Sequence, residues 1–256
     1  SFFPQLVAGP IVRAAEFVPQ LYQKYKLTKQ EFGHAVFMIL NGLIKKMVIS
    51  DYISLNFVDR IFDSPGSYSG FENLMAVYGY SIQIYCDFSG YTDIAIGVAL
   101  LLGFRLPINF NSPYKALNIT DFWRRWHISL STWFRDYIYI PLGGSFEKIG
   151  VRIRNIVITF TVSGLWHGAN WTFIFFGFLH GVFFIPSILF KFKKHKEIVA
   201  GVHKGEEIIT TGEILGKIIK VDENFITLEI SNDITINIQK NSIQSIMPKG
   251  TIKELK

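Results

Sequence analysis

Apolar stretches long enough to cross a membrane recur through the first three quarters of the chain. A membrane-spanning helix needs about 20 mostly apolar residues, and residues 32–49 and 71–104 are candidates, although the first is short. Residues 156–190 contain no Asp, Glu, Lys or Arg. As one helix they would be about 50 Å long at about 1.5 Å per residue, too long for a hydrocarbon core of about 30 Å. Because both flanks are basic, the positive-inside rule predicts an even number of passes, or a re-entrant piece followed by a return helix. The candidate break points are Gly164, Gly168, Gly177, Gly181 and Pro186.

The last part of the chain alternates between apolar and polar positions as strands do. Ile226, Leu228 and Ile230 fall on one face of a predicted strand, and Ile234, Ile236 and Ile238 repeat the pattern after a turn at residues 231–233. Residues 206–246 therefore predict about five short antiparallel strands in a small sheet or barrel. We expect a mainly α fold, a multi-pass transmembrane helical region at 1–192, followed by a small antiparallel β domain at 193–256.

Composition supports this division into two domains. Every Arg, Trp and Tyr lies before residue 193, and Phe225 is the one aromatic residue after it. Only 18% of the 256 residues are charged and 16% are aromatic, which excludes a disordered chain, and the single Cys86 excludes an internal disulfide. The net charge of +6 is spread over the chain, so we expect no nucleic-acid partner. The chain starts at Ser1 in a sequence typical of the middle of a membrane protein, and we expect a fragment, a processed product or an engineered one.

An amphipathic helix with a cationic stripe is predicted over residues 118–138. Thr120 or Asp121 can cap its start, and aromatic residues recur at helical spacing on one face. An interfacial anchor with nothing bound is one interpretation, and the lining of a cavity mouth is the other. The stripe consists of Arg124, His127, Ser131 and Arg135.

Two histidines are the main catalytic candidates. An ionisable side chain within an apolar span predicts function, and a neutral imidazole can take a proton from a hydroxyl near neutral pH. His167 lies in uncharged sequence before Gly168, and His127 follows two arginines. The alternative for each is a core histidine that bonds to a neighbouring carbonyl, and we favour that interpretation for His180.

The other polar residues and motifs are weaker evidence for a catalytic site. Asp87 and Asp93 could form a carboxylate pair, but they are six residues apart and share no helix face unless the helix breaks near Ser89–Gly90. Pairing of each with an Arg or a backbone donor is at least as good an interpretation. No metal-ligand spacing, phosphate-binding loop or nucleophilic triad is found, and Cys86 is interpreted as packing.

Several motifs in order resemble the membrane-bound O-acyltransferases over residues 1–190. The similar branch is that of bacterial alginate O-acetyltransferases, which is related to the D-alanyl transfer protein of teichoic acid modification. Members are longer at both ends, so we expect a region truncated at both ends. The segments that carry the resemblance are 4–13, 86–93, 121–129, 134–137 and 166–168.

The resemblance implies a multi-helix membrane enzyme with a central tunnel, in the bacterial inner membrane. It implies that His167 is catalytic, that His127 lines the same cavity, and that an acyl group passes from a cytosolic thioester donor toward the outer face. Acetyl-coenzyme A is the expected donor, with no tightly bound cofactor, and a polysaccharide or an extracytoplasmic transfer protein is the expected acceptor. We also expect residues near the histidines to contact the substrates. The arginines among them are expected to bind phosphates of the donor. These candidates are Arg124, Arg125, Arg135, Trp166 and Asn170.

Residues 197–251 resemble the soluble domain of YajC, an accessory subunit of the bacterial preprotein translocase. The resemblance rests on residues 204–212, 216–218, 221–222, 227–230 and 240–243. It implies a cytosolic interaction module without catalytic residues and a partner in the Sec translocase. Two hypotheses follow, a polysaccharide O-acyltransferase and a non-enzymatic translocase accessory protein whose membrane part is an anchor.

Overall fold

The computed structural model describes residues 2–5, 8–145, 148–231 and 234–254, and it divides into two units, residues 1–146 and 147–256. Helices make up the first unit. π-helical turns at Ile44–Ser50 and Ser54–Val58 join α2, α3 and α4 into one segment, Lys29–Asp63, and another at Arg135–Tyr139 extends α7. The helices are α1 (Ala14–Phe17), α2 (Lys29–Leu43), α3 (Asp51–Ile53), α4 (Asp59–Asp63), α5 (Gly70–Leu101), α6 (Ile119–Arg125) and α7 (Ile128–Phe134).

Capping boxes start the two long helical segments of this unit. The Thr28 hydroxyl accepts from the Glu31 N–H at 3.2 Å, and the Glu31 carboxylate accepts from the Thr28 N–H at 2.9 Å. Ser69 and Glu72 repeat the arrangement at the start of α5. Each box satisfies backbone N–H groups that have no partner within the helix, so both starts are specified locally.

Small residues bring α2 and α5 close together. A Cβ built on Gly90 would lie 2.7 Å from the Gly42 carbonyl oxygen, and one on Gly97 would lie 2.6 Å from the Ala35 carbonyl oxygen. Such close approach of backbones is typical of membrane helix pairs. The hydrophobic effect does not drive helix association in lipid, so the pairs are stabilised by van der Waals packing, which small residues allow.

The aspartates of α5 pair with lysines that follow α2. Lys45 Nζ lies 2.6 Å from Asp93 Oδ2, and Lys46 Nζ lies 2.6 Å from Asp87 Oδ1. The helix continues unbroken through Ser89–Gly90. The two carboxylates therefore form separate ion pairs, and the partners are lysines rather than the predicted arginine or backbone donor.

A helical hairpin begins the second unit. The uncharged stretch 156–190 is divided between α8 (Ile149–His167) and α9 (Trp171–Ala200), and the break falls at Gly168. Pro186 lies inside α9 without ending it. Gly164 and Gly177 lie where α8 and α9 touch, since a Cβ on either would come within 3.0 Å of the other's Cα. Two helices fit the expectation from length, and only one of the candidate break points is used.

The expected five-stranded antiparallel sheet follows α9. Its strand order is β4-β3-β2-β1-β5, and α10 (Thr251–Glu254) comes after it. Buried side chains of the sheet pack with Val202, which comes two residues after α9, and with Ile198 in its last turn. The strands are β1 (Glu207–Thr210), β2 (Leu215–Val221), β3 (Phe225–Ser231), β4 (Ile234–Gln239) and β5 (Ile243–Met247).

One face assignment in the sheet is wrong. Ile226 and Leu228 are fully buried as predicted, but Ile230 is 38% exposed because the pairing of β3 with β4 shifts register between Glu229 and Ser231. A one-residue shift turns the following side chains to the other face. Two residues of the predicted turn, 232 and 233, lie outside the described residues.

Within the described part of the chain, three helical segments are long and apolar enough to span a bilayer. They are Lys29–Asp63, Gly70–Leu101 and Trp171–Ala200. The first two contain the predicted stretches 32–49 and most of 71–104, and the first is longer than predicted. Helix α9 continues through residue 193, so the division at 192/193 does not coincide with the end of an element and stays a prediction.

Candidate active site

His127 interrupts the helix predicted over residues 118–138. Trp126 is extended, with φ −103° and ψ 127°, and His127 has φ 43° and ψ 57° in the left-handed region. A right-handed helix cannot continue through such a residue. The prediction of one helix with one cationic stripe is therefore wrong. The N-cap also differs from the prediction. It is Asn118, whose Oδ1 accepts from the Asp121 N–H at 2.9 Å, and not Thr120 or Asp121.

The segment 109–111 supports the backbone on both sides of His127. Before it, the Asn111 N–H donates to the Arg125 carbonyl at 2.9 Å, and after it, the Ile128 N–H donates to the Asn109 carbonyl at 2.9 Å. A residue other than glycine in the left-handed region costs about 1–2 kcal/mol, so such a conformation persists where surrounding bonds fix it. The hydrogen bonds of residues 109–111 supply that support.

The imidazole of His127 is buried among aromatic rings. It is 6% exposed, and the ring of Phe88 on α5 meets it edge to face at 4.6 Å between centroids. Edge-to-face contacts join Phe110 to Phe88 at 5.0 Å and to Trp126 at 5.1 Å. Such surroundings exclude water and hold a ring in one orientation, which a proton-transfer group requires.

The N-terminal segment 8–13 packs against the region of His127. The Ile11 N–H donates to Ser129 Oγ at 3.0 Å, and Arg13 forms an ion pair with Asp136, which also accepts from Arg135 Nε at 2.7 Å. Hydrogen bonds from Arg135 and then Arg13 lower the pKa of Asp136 to about 2. Three motif segments thus meet, those at 4–13, 121–129 and 134–137. Within the first, residues 6 and 7 lie outside the described part of the chain.

The three candidate phosphate-binding arginines differ in their engagement. Arg125 Nε donates to Asp121 Oδ1 at 2.9 Å, which lowers the pKa of that carboxyl, and Arg135 bonds to Asp136. Arg124 is exposed and forms no ion pair with any described residue. Arg124 is therefore the arginine of the three whose charge is most open to an anion, and phosphate binding by all three stays a prediction.

His167 lies at the turn between α8 and α9. It is the last residue of α8, and Gly168 caps that helix. The ring is 5.2 Å from that of Trp166 and 6.2 Å from that of Phe173, which it faces at 29°. The His167 side chain is exposed to solvent. The predicted location of His167 beside a helix break is confirmed, and its catalytic role stays a prediction.

Its two predicted neighbours behave differently. Trp166 is 54% exposed. Asn170 is the N-cap of α9, and its Oδ1 accepts from the Thr172 N–H and hydroxyl at 3.1 Å each. Asn170 thus has a structural task in fixing the turn after His167. Substrate contact by either residue stays a prediction.

His180 has the structural surroundings expected for it. Its Nδ1 lies 2.9 Å from the Phe176 carbonyl oxygen, one helical turn earlier. The ring packs against Phe176 at 4.2 Å between centroids. This contact agrees with the interpretation of His180 as a packing residue.

A family model defines the class of protein. The model described as MBOAT, the membrane-bound O-acyltransferase family, matches residues 1–193. The chain belongs to that family. Together with the apolar helices, this establishes a membrane protein. A second model, described as YajC, preprotein translocase subunit, matches residues 173–247, and the two matches share residues 173–193 within α9.

Curated relatives come from several bacteria. The chain is 50% identical to the peptidoglycan O-acetyltransferase of Helicobacter pylori, over 71% of the chain and 35% of that protein. It is 44% identical to the probable alginate O-acetylase AlgI of Azotobacter vinelandii, over 71% of the chain and 36% of that protein. It is 35% identical to the teichoic acid D-alanyltransferase of Bacillus subtilis, over 71% of the chain and 48% of that protein. The chain thus spans between a third and a half of these relatives.

Proposed function

We propose that this chain carries the histidines of a membrane O-acyltransferase that acylates a bacterial envelope polysaccharide. The acyl group is acetyl, and the donor is acetyl-coenzyme A or another thioester. The observation that carries the proposal is the placement of His167 at the turn between two apolar helices of a family member. The relatives named for peptidoglycan, alginate and teichoic acid support a hydroxyl of an envelope polymer as the acceptor class.

The proposed reaction needs one base at the acceptor hydroxyl. The neutral imidazole of His167 takes the hydroxyl proton as the oxygen attacks the thioester carbonyl carbon. The carbon–sulfur bond then breaks, the new ester forms, and the thiolate leaves and takes up a proton. The Trp166 and Phe173 rings lie beside the exposed imidazole of His167, so a bound thioester that covers it would enclose it among apolar groups, where the hydrogen bonds of the proton transfer are stronger.

His127 has an assisting role in this proposal. Its imidazole is buried and held by Phe88, so it is suited to orient a reacting group rather than to exchange protons with bulk water. Arg124 is the proposed contact for a phosphate of the donor, because it is exposed and outside the ion pairs of the described residues.

The test is acyl transfer by the chain in lipid vesicles. Acetyl-coenzyme A labelled in the acetyl group is the donor, and peptidoglycan, alginate and teichoic acid are offered separately. His167→Ala should abolish transfer, and His180→Ala, a matched change on the same hairpin, should retain it. Equal transfer by the wild type and His167→Ala would remove the assignment, as would the absence of transfer by the wild type to any acceptor.

We also propose a location for the β domain. The lysines that follow the apolar part of α9, at 191, 193, 194 and 196, support a cytoplasmic position by the positive-inside rule. The bacterial inner membrane is the corresponding membrane, and an extracytoplasmic protein would complete the transfer. In a Cys86→Ser background, a cysteine placed at the exposed Lys217 should react with an impermeant maleimide only after the cells are broken. Labelling of intact cells would contradict the proposed topology.

A second candidate function is supported by the match at 173–247 and by the packing of α9 into the sheet. In this alternative, the chain is a non-enzymatic accessory subunit of the Sec translocase and residues 197–251 make the contact. Co-purification with the translocase channel that is lost on deletion of 197–256 would favour it. Acyl transfer that persists after the same deletion would favour the enzyme.

A further inference from the structure

Three hydrogen bonds join Asn109 to the two residues that follow His127. The Asn109 carbonyl accepts from the Ile128 N–H at 2.9 Å, and its side-chain Oδ1 accepts from the Ser129 N–H at 3.2 Å and from Ser129 Oγ at 2.9 Å. We infer that Asn109 is a positioning residue for His127. The inference rests on the proposed function, because it assigns Asn109 to a histidine of that site.

The orientation of the Asn109 amide is fixed by its partners. Oδ1 faces a backbone N–H, which can only donate, so the oxygen and not the nitrogen must point at Ser129. Ser129 Oγ accepts from the Ile11 N–H at 3.0 Å and gives its own proton to Asn109. Two consecutive hydrogen bonds thus connect the Ile11 N–H through the Ser129 hydroxyl to Asn109 Oδ1.

Burial makes these bonds strong and selective. Asn109 is 1% exposed and Ser129 is 8% exposed, so water cannot replace a lost partner at either. Asn109 Nδ2 has no hydrogen-bond partner among the described residues. A buried donor without a partner is unfavourable, so any stabilisation from the Asn109 side chain comes through its acceptor oxygen.

The bonds act on the orientation of the His127 ring through the main chain. His127 is left-handed, and Ile128 and Ser129 begin α7 directly after it. If Oδ1 is removed, the Ser129 N–H and hydroxyl lose their acceptor, and the first turn of α7 can rotate about the His127 backbone. The imidazole would then leave its edge-to-face position on Phe88.

The experiment compares Asn109→Ala with Asn111→Ala. Asn111 belongs to the same segment and bonds through its main chain, and its side chain is exposed, so it is a matched control. Two readouts are taken on the chain in lipid vesicles. One is kcat and KM for acetyl transfer, and the other is the rate at which diethyl pyrocarbonate modifies each histidine, followed by peptide mass spectrometry.

For Asn109→Ala we expect kcat to fall at least about tenfold, with KM within about twofold, because a displaced catalytic group loses rate rather than binding. His127 should react with the reagent at least about fivefold faster than in the wild type, because burial that now protects it is lost. His180 should be unchanged, and Asn111→Ala should match the wild type in both readouts. Ser129→Ala, which removes one of the three bonds and also the acceptor of the Ile11 N–H, should give an intermediate rate at His127.

Unchanged reactivity of His127 in a folded Asn109→Ala chain would overturn the inference, as would equal effects of Asn109→Ala and Asn111→Ala. If Asn109→Ala does not fold, Ser129→Ala decides in the same way. If the wild type transfers no acetyl group, the proposed function has failed, and the reagent readout alone decides whether Asn109 positions His127.

Discussion

Lys45 Nζ lies 2.6 Å from Asp93 Oδ2, and this ion pair joins the π-helical turn after α2 to the last third of α5. Asn41 Nδ2 donates to the same oxygen at 2.8 Å. Both side chains of the ion pair are less than a quarter exposed. A charged pair in apolar helices is thus built into the packing of α2 on α5.

Removal of one partner of this pair should destabilise the fold. Asp93→Asn leaves Lys45 without its carboxylate, and we expect the free energy of unfolding to fall by about 1–3 kcal/mol. Thermal unfolding in detergent measures the loss. Lys220→Ala, which breaks the exposed pair with Asp222, should change the free energy by less than about 1 kcal/mol. A loss at Asp93 no larger than at Lys220 would contradict this account.

Gly164 should tolerate no side chain. A Cβ there would lie 3.0 Å from the Cα of Gly177, so Gly164→Ala must push α8 and α9 apart. We expect a cost of about 1–3 kcal/mol from overpacking, seen as a lower melting temperature. Gly150→Ala is the control, because it lies in the same helix with nothing within 4 Å of its Cβ. That change should stabilise by up to about 1 kcal/mol, and a similar loss for both would count against tight packing of the hairpin.

The sheet should depend on Val202, which comes two residues after α9. Val202 is 6% exposed in the core of the β domain, so Val202→Ala should cost about 1–2 kcal/mol. Hydrogen exchange of the amides of β1–β5 measures it, because a less stable sheet opens more often. Ile234→Ala, at a side chain that is 54% exposed, should leave exchange unchanged. Slow exchange retained in Val202→Ala would show that the sheet folds independently of that contact.

Acid should weaken the contact between Arg13 and Asp136. The pKa of Asp136 is lowered from an ordinary 3.8 to about 2 in the folded chain. A depressed carboxyl pKa contributes stability that is present above the ordinary value and is lost as the pH falls through the folded value. The difference in melting temperature between the wild type and Asp136→Asn should therefore be constant above about pH 5 and shrink toward pH 2.

The control for this titration is Asp63→Asn. Asp63 is exposed and has no ion pair among the described side chains. Its difference from the wild type should be small at every pH. A gap between the wild type and Asp136→Asn that stays the same from pH 6 to pH 2 would show that the ion pair adds no stability.

Side-chain patterns predict the long helices, a break within 156–190 and the five strands. The break follows from length, because an uninterrupted helix would exceed the bilayer, but Gly168 is one of five candidate positions and the sequence alone does not select it. A change of composition predicts the division at 192/193, but Lys and Glu are good helix formers, and α9 continues to Ala200.

The same patterns could not reveal the break at His127. Helical spacing reports which side chain types recur, and neither Trp126 nor His127 is a residue that marks a turn. The bonds that hold the left-handed backbone come from Asn109, about 20 residues earlier, in a segment without periodicity. For the same reason the sequence does not predict Asn109 as a site residue, and its one sequence signal is an asparagine between two apolar residues, four positions before Pro113.

Access of a thioester to His167 is the point on which the proposed chemistry depends, and an affinity label measures it. Bromoacetyl-coenzyme A resembles the donor and alkylates a nucleophilic nitrogen that the thioester can reach. After incubation with the chain in lipid vesicles and hydrolysis of the thioester, peptide mass spectrometry should find carboxymethylhistidine at position 167 and not at position 180. Excess acetyl-coenzyme A should prevent the modification. An unmodified His167, or one labelled equally with and without acetyl-coenzyme A, would contradict the account.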